Sequence, residues 1–137
     1  MIYKLVSAHL AQHAVKARGG HFVSDYTHVE DASSIWRHLT LADDLSNDVY
    51  NVSAGVAYSL NDVLETLQHV DPTFSFSYAG ADQDVDVEIM SEGERGALDI
   101  TRVSAEFGFL PRYNLRQGLE SYLRWARRYP ALFPSRP

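Results

Sequence analysis

The chain has 137 residues, 45% of them hydrophobic and 22% charged, with a formal net charge of −6. That length suits one domain around one core, taken as residues 1–137; the acidic balance excludes a general nucleic-acid binder, which needs surplus Lys and Arg to neutralise phosphates. The absence of cysteine excludes a disulfide frame, a Cys-bearing zinc site and a thiol nucleophile and fits the cytoplasm, and no apolar run reaches the roughly 18–20 residues of a membrane span.

Ile2, Leu5, Val6, Leu10 and Ala14 recur at helical spacing, with no Ser, Asp or Asn before them to cap the helix. The same stretch lacks the features of a signal peptide. A helix without a start is what a cut, or a new start codon, inside a longer protein produces, and Ile2, Leu5 and Val6 are then expected to have little to pack on. Arg18-Gly19-Gly20 breaks the pattern, as glycine does past a helix end. His21 to Val29, rich in aromatic and β-branched residues, is expected to be a strand. Asp31 can cap the next helix, with Ile35, Trp36, Leu39 and Ala42 as its buried stripe. Asn47-Asp48 turns into a short strand, Val49 to Val52.

Ser59 and Asp62 have capping-box spacing and open a helix whose apolar face is Leu60, Val63, Leu64 and Leu67; Asp71-Pro72 closes it. Phe74, Phe76 and Tyr78 alternate with Thr73, Ser75 and Ser77, the period of a half-buried strand. Residues 79–96 form a long loop with a short strand at Val85 to Ile89. Thr101 caps a short helix through Phe107, Gly108 fits its C′ position, and Pro111 follows. Asn114, with Gln117 reaching back, caps a final helix with the stripe Leu115, Leu119, Tyr122, Leu123 and Ala126. The class is α/β, with short strands alternating with helices and no long run of buried parallel strands.

Several groupings invite chemistry. His9 and His13 have the i, i+4 spacing of metal ligands, but Leu10 stands where a zinc hydrolase places Glu, so two polar neighbours on a solvated face are expected, and no metal. Asp82, Asp84, Asp86 and Glu88 alternate, yet Val87 and Gly93 occupy the places where a calcium loop needs Gly and a bidentate Glu; a charged edge is expected. His28 lies beside Asp25 and Asp31 with no Ser or Cys nucleophile motif, which gives no catalytic assignment. Arg102 to Arg136 holds seven arginines against Glu106 and Glu120, read as a solvated helix end, with a partner- or phosphate-facing surface as the alternative.

Ser24-Asp25-Tyr26-Thr27-His28-Val29-Glu30-Asp31 resembles the Asp-Tyr-(Thr/Ile)-His-Val-(Asp/Glu)-Asp signature of extended short-chain dehydrogenase/reductases, the family of nucleotide-sugar epimerases and dehydratases. Further stretches resemble that family's landmarks in order. They are Val49-Tyr50-Asn51-Val52-Ser53-Ala54-Gly55, then Tyr58 to Val63, then Leu98-Asp99-Ile100-Thr101-Arg102 with Phe107 to Tyr113 and Leu115 to Leu119. All belong to the last third of such an enzyme. The resemblance implies a small C-terminal α/β module that binds the nucleotide sugar and lacks the N-terminal Rossmann core.

The family's cofactor is NAD(P), held by glycines in a strand-to-helix turn. The close glycine pairs here, Gly19-Gly20 and Gly93 with Gly96, do not fit that spacing. The family's catalytic Tyr-x-x-x-Lys pair is also missing: Lys4 and Lys16 are the only lysines, and Gln12 stands where the Tyr before Lys16 would be. No catalytic or cofactor-binding residue is therefore expected in this chain. What the resemblance does assign is Arg95, at the position of an Arg that binds the substrate diphosphate, where a forked guanidinium matches phosphate oxygens. Ser24 replaces a second such Arg, so affinity for a nucleotide sugar is expected to be weak or lost. The position matching His28 is structural. The expected partners are the missing Rossmann domain or further copies of the chain, with no nucleic acid and no membrane. A stand-alone nucleotide-sugar-binding or protein-interaction module is the alternative.

Overall fold

A computed structural model describes residues 1–89 and 96–133. Helix α1 (Ile2–Leu10) begins on Met1 without a side-chain cap. Gln12 takes a positive φ of 56°, and the chain turns at once into β1 (Val15–Arg18), whose residues alternate between buried and exposed. The helical spacing that includes Ala14 is therefore coincidental, because Val15 and Ala17 belong to a strand. Nor is α1 short of neighbours: Leu5 and Val6 are fully buried.

β1 is the centre of a three-stranded parallel sheet, in the order β4-β1-β5, with β4 at Phe76–Tyr78 and β5 at Val87–Glu88. Val15 pairs with Phe76 on one side, and Ala17 pairs with Val87 on the other. Val15 and Ala17 point to one face of β1 and are wholly enclosed, while Lys16 on the other face is exposed. A separate antiparallel pair joins β2 (Val23–Asp25) to β3 (Ala57–Ser59). Only these residues of the expected strand from His21 to Val29 form a ladder, since Val29 already belongs to the next helix.

Helix α3 (Leu60–Val70) carries the capping box of Ser59 and Asp62, and all four predicted face residues, Leu60, Val63, Leu64 and Leu67, are buried. It packs on α5 (Leu115–Arg128), which opens with the Asn114–Gln117 box and buries Leu119, Leu123 and Ala126. Tyr122 lies at the edge of this core. Phe74 closes the core below β4. Helix α2 (Val29–Leu41) and α4 (Thr101–Phe107) share a smaller cluster of Ile35, Val103 and Phe109. Within α2, Ile35 and Leu39 take the inward line, and Trp36, about 100° further round, is 64% exposed, contrary to the expected stripe.

Residues 49–52 form no strand among the described residues; Tyr50 and Val52 pack on the smaller cluster, but no ladder partner lies alongside. Thr101 is the first residue of α4 rather than its cap, and its N–H donates to Asp99 Oδ1 at 2.8 Å. Gly108 ends that helix at a φ of 64°, as expected.

Charged groups brace the frame. His13 lies beyond the end of α1 and faces Asp86 at 3.1 Å, so it does not share a helix face with His9. Asp86 also accepts from Lys16 N, Glu88 pairs with Arg18 at 2.9 Å, and no metal-ligating cluster is found among the described residues. His9, only 10% exposed at its side chain, is not on a solvated face: its Nε2 meets Asp71 Oδ2 at 2.8 Å. Asp71 also accepts from Thr73 N and Oγ1 and from Arg127 of α5. Burial acts to raise the Asp71 pKa, but the bonds from Thr73 and His9 outweigh it and hold the carboxyl well below the usual range.

A depressed carboxyl pKa stabilises the fold in full above the unfolded value, near pH 4, and the contribution is lost as the pH falls toward the folded value. Thermal melting of the chain is therefore expected to weaken between about pH 4 and pH 2, more steeply than in Asp71→Asn. Equal slopes for the two proteins would show that Asp71 is not the group responsible.

Candidate functional site

Residues 24–31 and 112–119, distant in sequence, meet around one buried carboxylate. Asp31 is 2% exposed, and its oxygens accept from Arg112 N and Tyr113 N, each at 3.1 Å, and from Arg112 Nε at 3.2 Å. It lies in the first turn of α2, where the helix N-terminus favours a negative charge. The cap itself is His28, whose Nδ1 accepts from Glu30 N at 3.2 Å. Asp31, expected to cap α2, instead ties that helix to the segment leading into α5.

The His28 ring stacks on Tyr113 with centroids 3.7 Å apart and 15° between the planes. Tyr113 Oη donates to Glu30 Oε2 at 2.7 Å, a bond that raises the phenol pKa. This stack forms one wall of a cleft of about 310 Å³ that is also lined by Tyr26, Asn114, Tyr122 and Ile2. Burial raises the pKa of Tyr26 and of Tyr122. Among the described residues the cleft lining holds no Lys or Arg, and this part of the cleft is suited to neutral, ring-sized groups.

Asp25, from the same signature, accepts from Ala54 N and Leu98 N, each at 3.1 Å. It thereby brings the segment just after Arg95 against β2. Arg95 itself lies outside the described residues. His28 serves as cap and stacking partner, in keeping with a structural role. Tyr122 carries no site signal of its own in the sequence, whereas Tyr26 lies in the 24–31 signature, Tyr113 ends the landmark Phe107 to Tyr113, and Asn114 caps the final helix.

The glycine pair at 19–20 does not form a dinucleotide turn. Gly19 does follow a strand, but β2 comes next rather than a helix. A Cβ on Gly19 would meet Ile89 O at 2.1 Å, and one on Gly20 would meet Asn61 Oδ1 at 1.9 Å. Both glycines are used for close packing within the chain, so these residues do not fit a pyrophosphate.

No protein-family profile and no curated protein matches the sequence. Solved structures do. An ADP-L-glycero-D-manno-heptose-6-epimerase from Helicobacter pylori matches with a TM-score of 0.74 at 21% identity, over 93% of this chain and 37% of its own. MoeE5, solved with UDP-glucuronic acid and NAD, matches with a TM-score of 0.73 at 27% identity, over 93% and 41%. A UDP-glucuronic acid 4-epimerase from Bacillus cereus, solved with the same two molecules, gives 0.72 at 15% identity, over 93% and 40%. The chain has the fold of the C-terminal part of the extended short-chain dehydrogenase/reductases.

The chain spans about two fifths of the length of the extended short-chain dehydrogenases it matches. Among the described residues no helix is long and apolar enough to cross a membrane.

Proposed function

We propose that this chain is the nucleotide-sugar-binding part of an NAD(P)-dependent epimerase or dehydratase, and that alone it neither holds the dinucleotide nor transforms the sugar. The observation that carries this reading is the junction at Asp31. There the two signature segments of the family meet and wall a cleft, in a fold shared with enzymes solved with UDP-glucuronic acid and NAD. The sequence supports the second half, since it contains neither a glycine-spaced cofactor turn nor a Tyr-x-x-x-Lys pair. In an intact enzyme, bound NAD supplies hydride transfer. The residues of this chain contribute substrate contacts, with Arg95 directed at the diphosphate, and Ser24 in place of an Arg keeps those contacts weak. The proposed partners are a dinucleotide-binding domain or another copy of the chain, and the proposed setting is the cytoplasm.

Two titrations test this. NAD is expected to give no saturable heat or thermal shift with the chain. UDP- or dTDP-sugars at millimolar concentration are expected to raise its melting temperature, and Arg95→Ala to abolish the rise. Stoichiometric NAD binding would overturn the second half of the proposal. No shift with any nucleotide sugar would leave the interaction-module reading in its place.

A further inference from the structure

Charge is distributed unevenly along the chain. All eighteen carboxylates fall between Asp25 and Glu120, whereas seven of the twelve Lys and Arg lie outside that span. The fold brings the two acid-free ends together. Tyr3 of α1 stacks on Phe133 with centroids 5.2 Å apart, and its Oη donates to Leu132 O at 3.1 Å. Phe133 is buried, and Trp125 and Tyr122 lie edge-on to it at 5.7 and 6.1 Å. Tyr129 stands 5.8 Å from Trp125. Tyr3, Trp125, Tyr129 and Leu132 are each between 43% and 54% exposed, so the rings fix one another and still keep an open side.

A line of cations runs beside these rings. Arg124 and Arg128 are four residues apart on α5 and share a face, about 100° round from Trp125 and Tyr129. The Arg128 guanidinium lies 5.7 Å over the Tyr129 ring. Arg127 is committed to Asp71, but among the described residues no carboxylate pairs with Arg124, Arg128 or Lys4. A solvated helix end accounts for the cations alone. It does not account for four open apolar side chains next to them. Trp, Tyr and Arg together, with Asp and Glu absent, is the composition of the energetic centre of a protein interface.

We infer that the end of α5, with Tyr3 and the turn Pro130–Leu132, binds a carboxylate-rich segment of a partner protein. An apolar side chain of that segment sits among Tyr3, Trp125 and Leu132, and its Asp or Glu side chains pair with Arg124 and Arg128. Three observations choose this occupant. The cations that end α5 are all Arg, whose forked donors match carboxylates, whereas an anionic lipid surface attracts Lys equally. Rings already held by mutual contact lose little freedom on docking, as suits a protein interface. A short segment stays within a screening length, about 10 Å, of the patch, while a long polyanion or a second copy also meets the acidic body of the chain. This surface is separate from the cleft, with which its rings share only Tyr122, and its role stands apart from the nucleotide-sugar reading.

The probe is a fluorescein-labelled peptide of Glu interrupted by Leu, titrated with the full chain at low salt and followed by anisotropy. Saturable binding is expected, weakened about tenfold by ~0.2 M salt and by a similar factor when Gly replaces Leu in the peptide. Arg124→Gln combined with Arg128→Gln is expected to weaken it about 30-fold. Both positions are exposed, so the melting temperature of that variant should stay within about 3 °C of the parent. The charge-reversed pair, Arg124→Glu with Arg128→Glu, is expected to take a peptide of Lys and Leu instead. Binding unchanged in the Gln variant, or no saturation at millimolar peptide, overturns the assignment. Tighter binding to phosphatidylserine vesicles or to oligo-dT than to the peptide, lost in the same variant, overturns the class of partner. A chain that sediments as a dimer, and as a monomer in that variant, overturns it in favour of a second copy.

Discussion

Asp31→Ala is expected to be the most damaging single polar substitution in the chain, with a loss of about 3–5 kcal/mol of folding stability. The carboxylate accepts from two main-chain N–H groups and one guanidinium N–H, and it is almost wholly enclosed. Alanine leaves the N–H groups of Arg112 and Tyr113 without acceptors, at about 1–3 kcal/mol for each buried group, and frees the Arg112 side chain. A domain with about 5–15 kcal/mol in hand would then be close to unfolding. Asp31→Asn would keep one acceptor oxygen and so lose less. Denaturant melts of the two variants measure this directly, and a change below about 1 kcal/mol in Asp31→Ala would be within ordinary surface behaviour and would refute the central role given to this carboxylate. Near-UV circular dichroism should change in parallel, because Tyr113 is held against His28 by the same bonds.

Gly19→Ala is expected to have the second-largest effect. Gly19 has a φ of 80°, which by itself costs an alanine about 1–2 kcal/mol. Its added Cβ would also lie 2.1 Å from the carbonyl oxygen of Ile89, and that oxygen cannot swing aside as a side chain can. Ile89 N donates to Arg18 O at 3.2 Å, so the collision falls where the β1–β5 pairing ends. Separation of β5 from β1 is the expected outcome, seen as lost amide protection at Val87 and Glu88 together with a melting temperature lowered by roughly 10 °C or more. Gly20→Ala is expected to be milder despite a nominal 1.9 Å approach, since there the obstacle is the Asn61 side chain, which can move once it gives up the Tyr78 hydroxyl. Equal effects for the two variants would contradict this reading.

The helices were more legible in the sequence than the strands, for a physical reason. The capping boxes at Ser59–Asp62 and Asn114–Gln117 and the C′ glycine at 108 are local devices, and each formed as read. The four-residue face of α3 was equally local. Strands depend on what lies beside them. Val15–Arg18 is too short and too polar at Lys16 and Arg18 to stand out from the helical spacing before it, and it is a strand because Phe76 and Val87 flank it. Val49–Val52 has the better strand composition and forms none, because no described strand flanks it.

The site divided along the same line. The signature at 24–31 forms one side of the junction, but the local sequence offers Asp31 only a capping role, because its partners, Arg112 and Tyr113, are remote in sequence. The setting of His9 is hidden from the local sequence for the same reason: its partner Asp71 lies just past α3, and Arg127 reaches that carboxylate from α5.

The strand order also bears on how the chain is made. Synthesis runs from the N-terminus, so β1 leaves the ribosome before either of its neighbours exists. Phe76 completes one side much later, and Val87 the other. Until then the central strand has two bare edges, and α1 has no α5 to lie against. Pairings of such long sequence separation close slowly, and unpaired edges are where nascent chains aggregate. Nascent chains halted before residue 76 should therefore depend on a holding chaperone, and release from it should follow the appearance of α5, whose Leu119 and Leu123 seal the core.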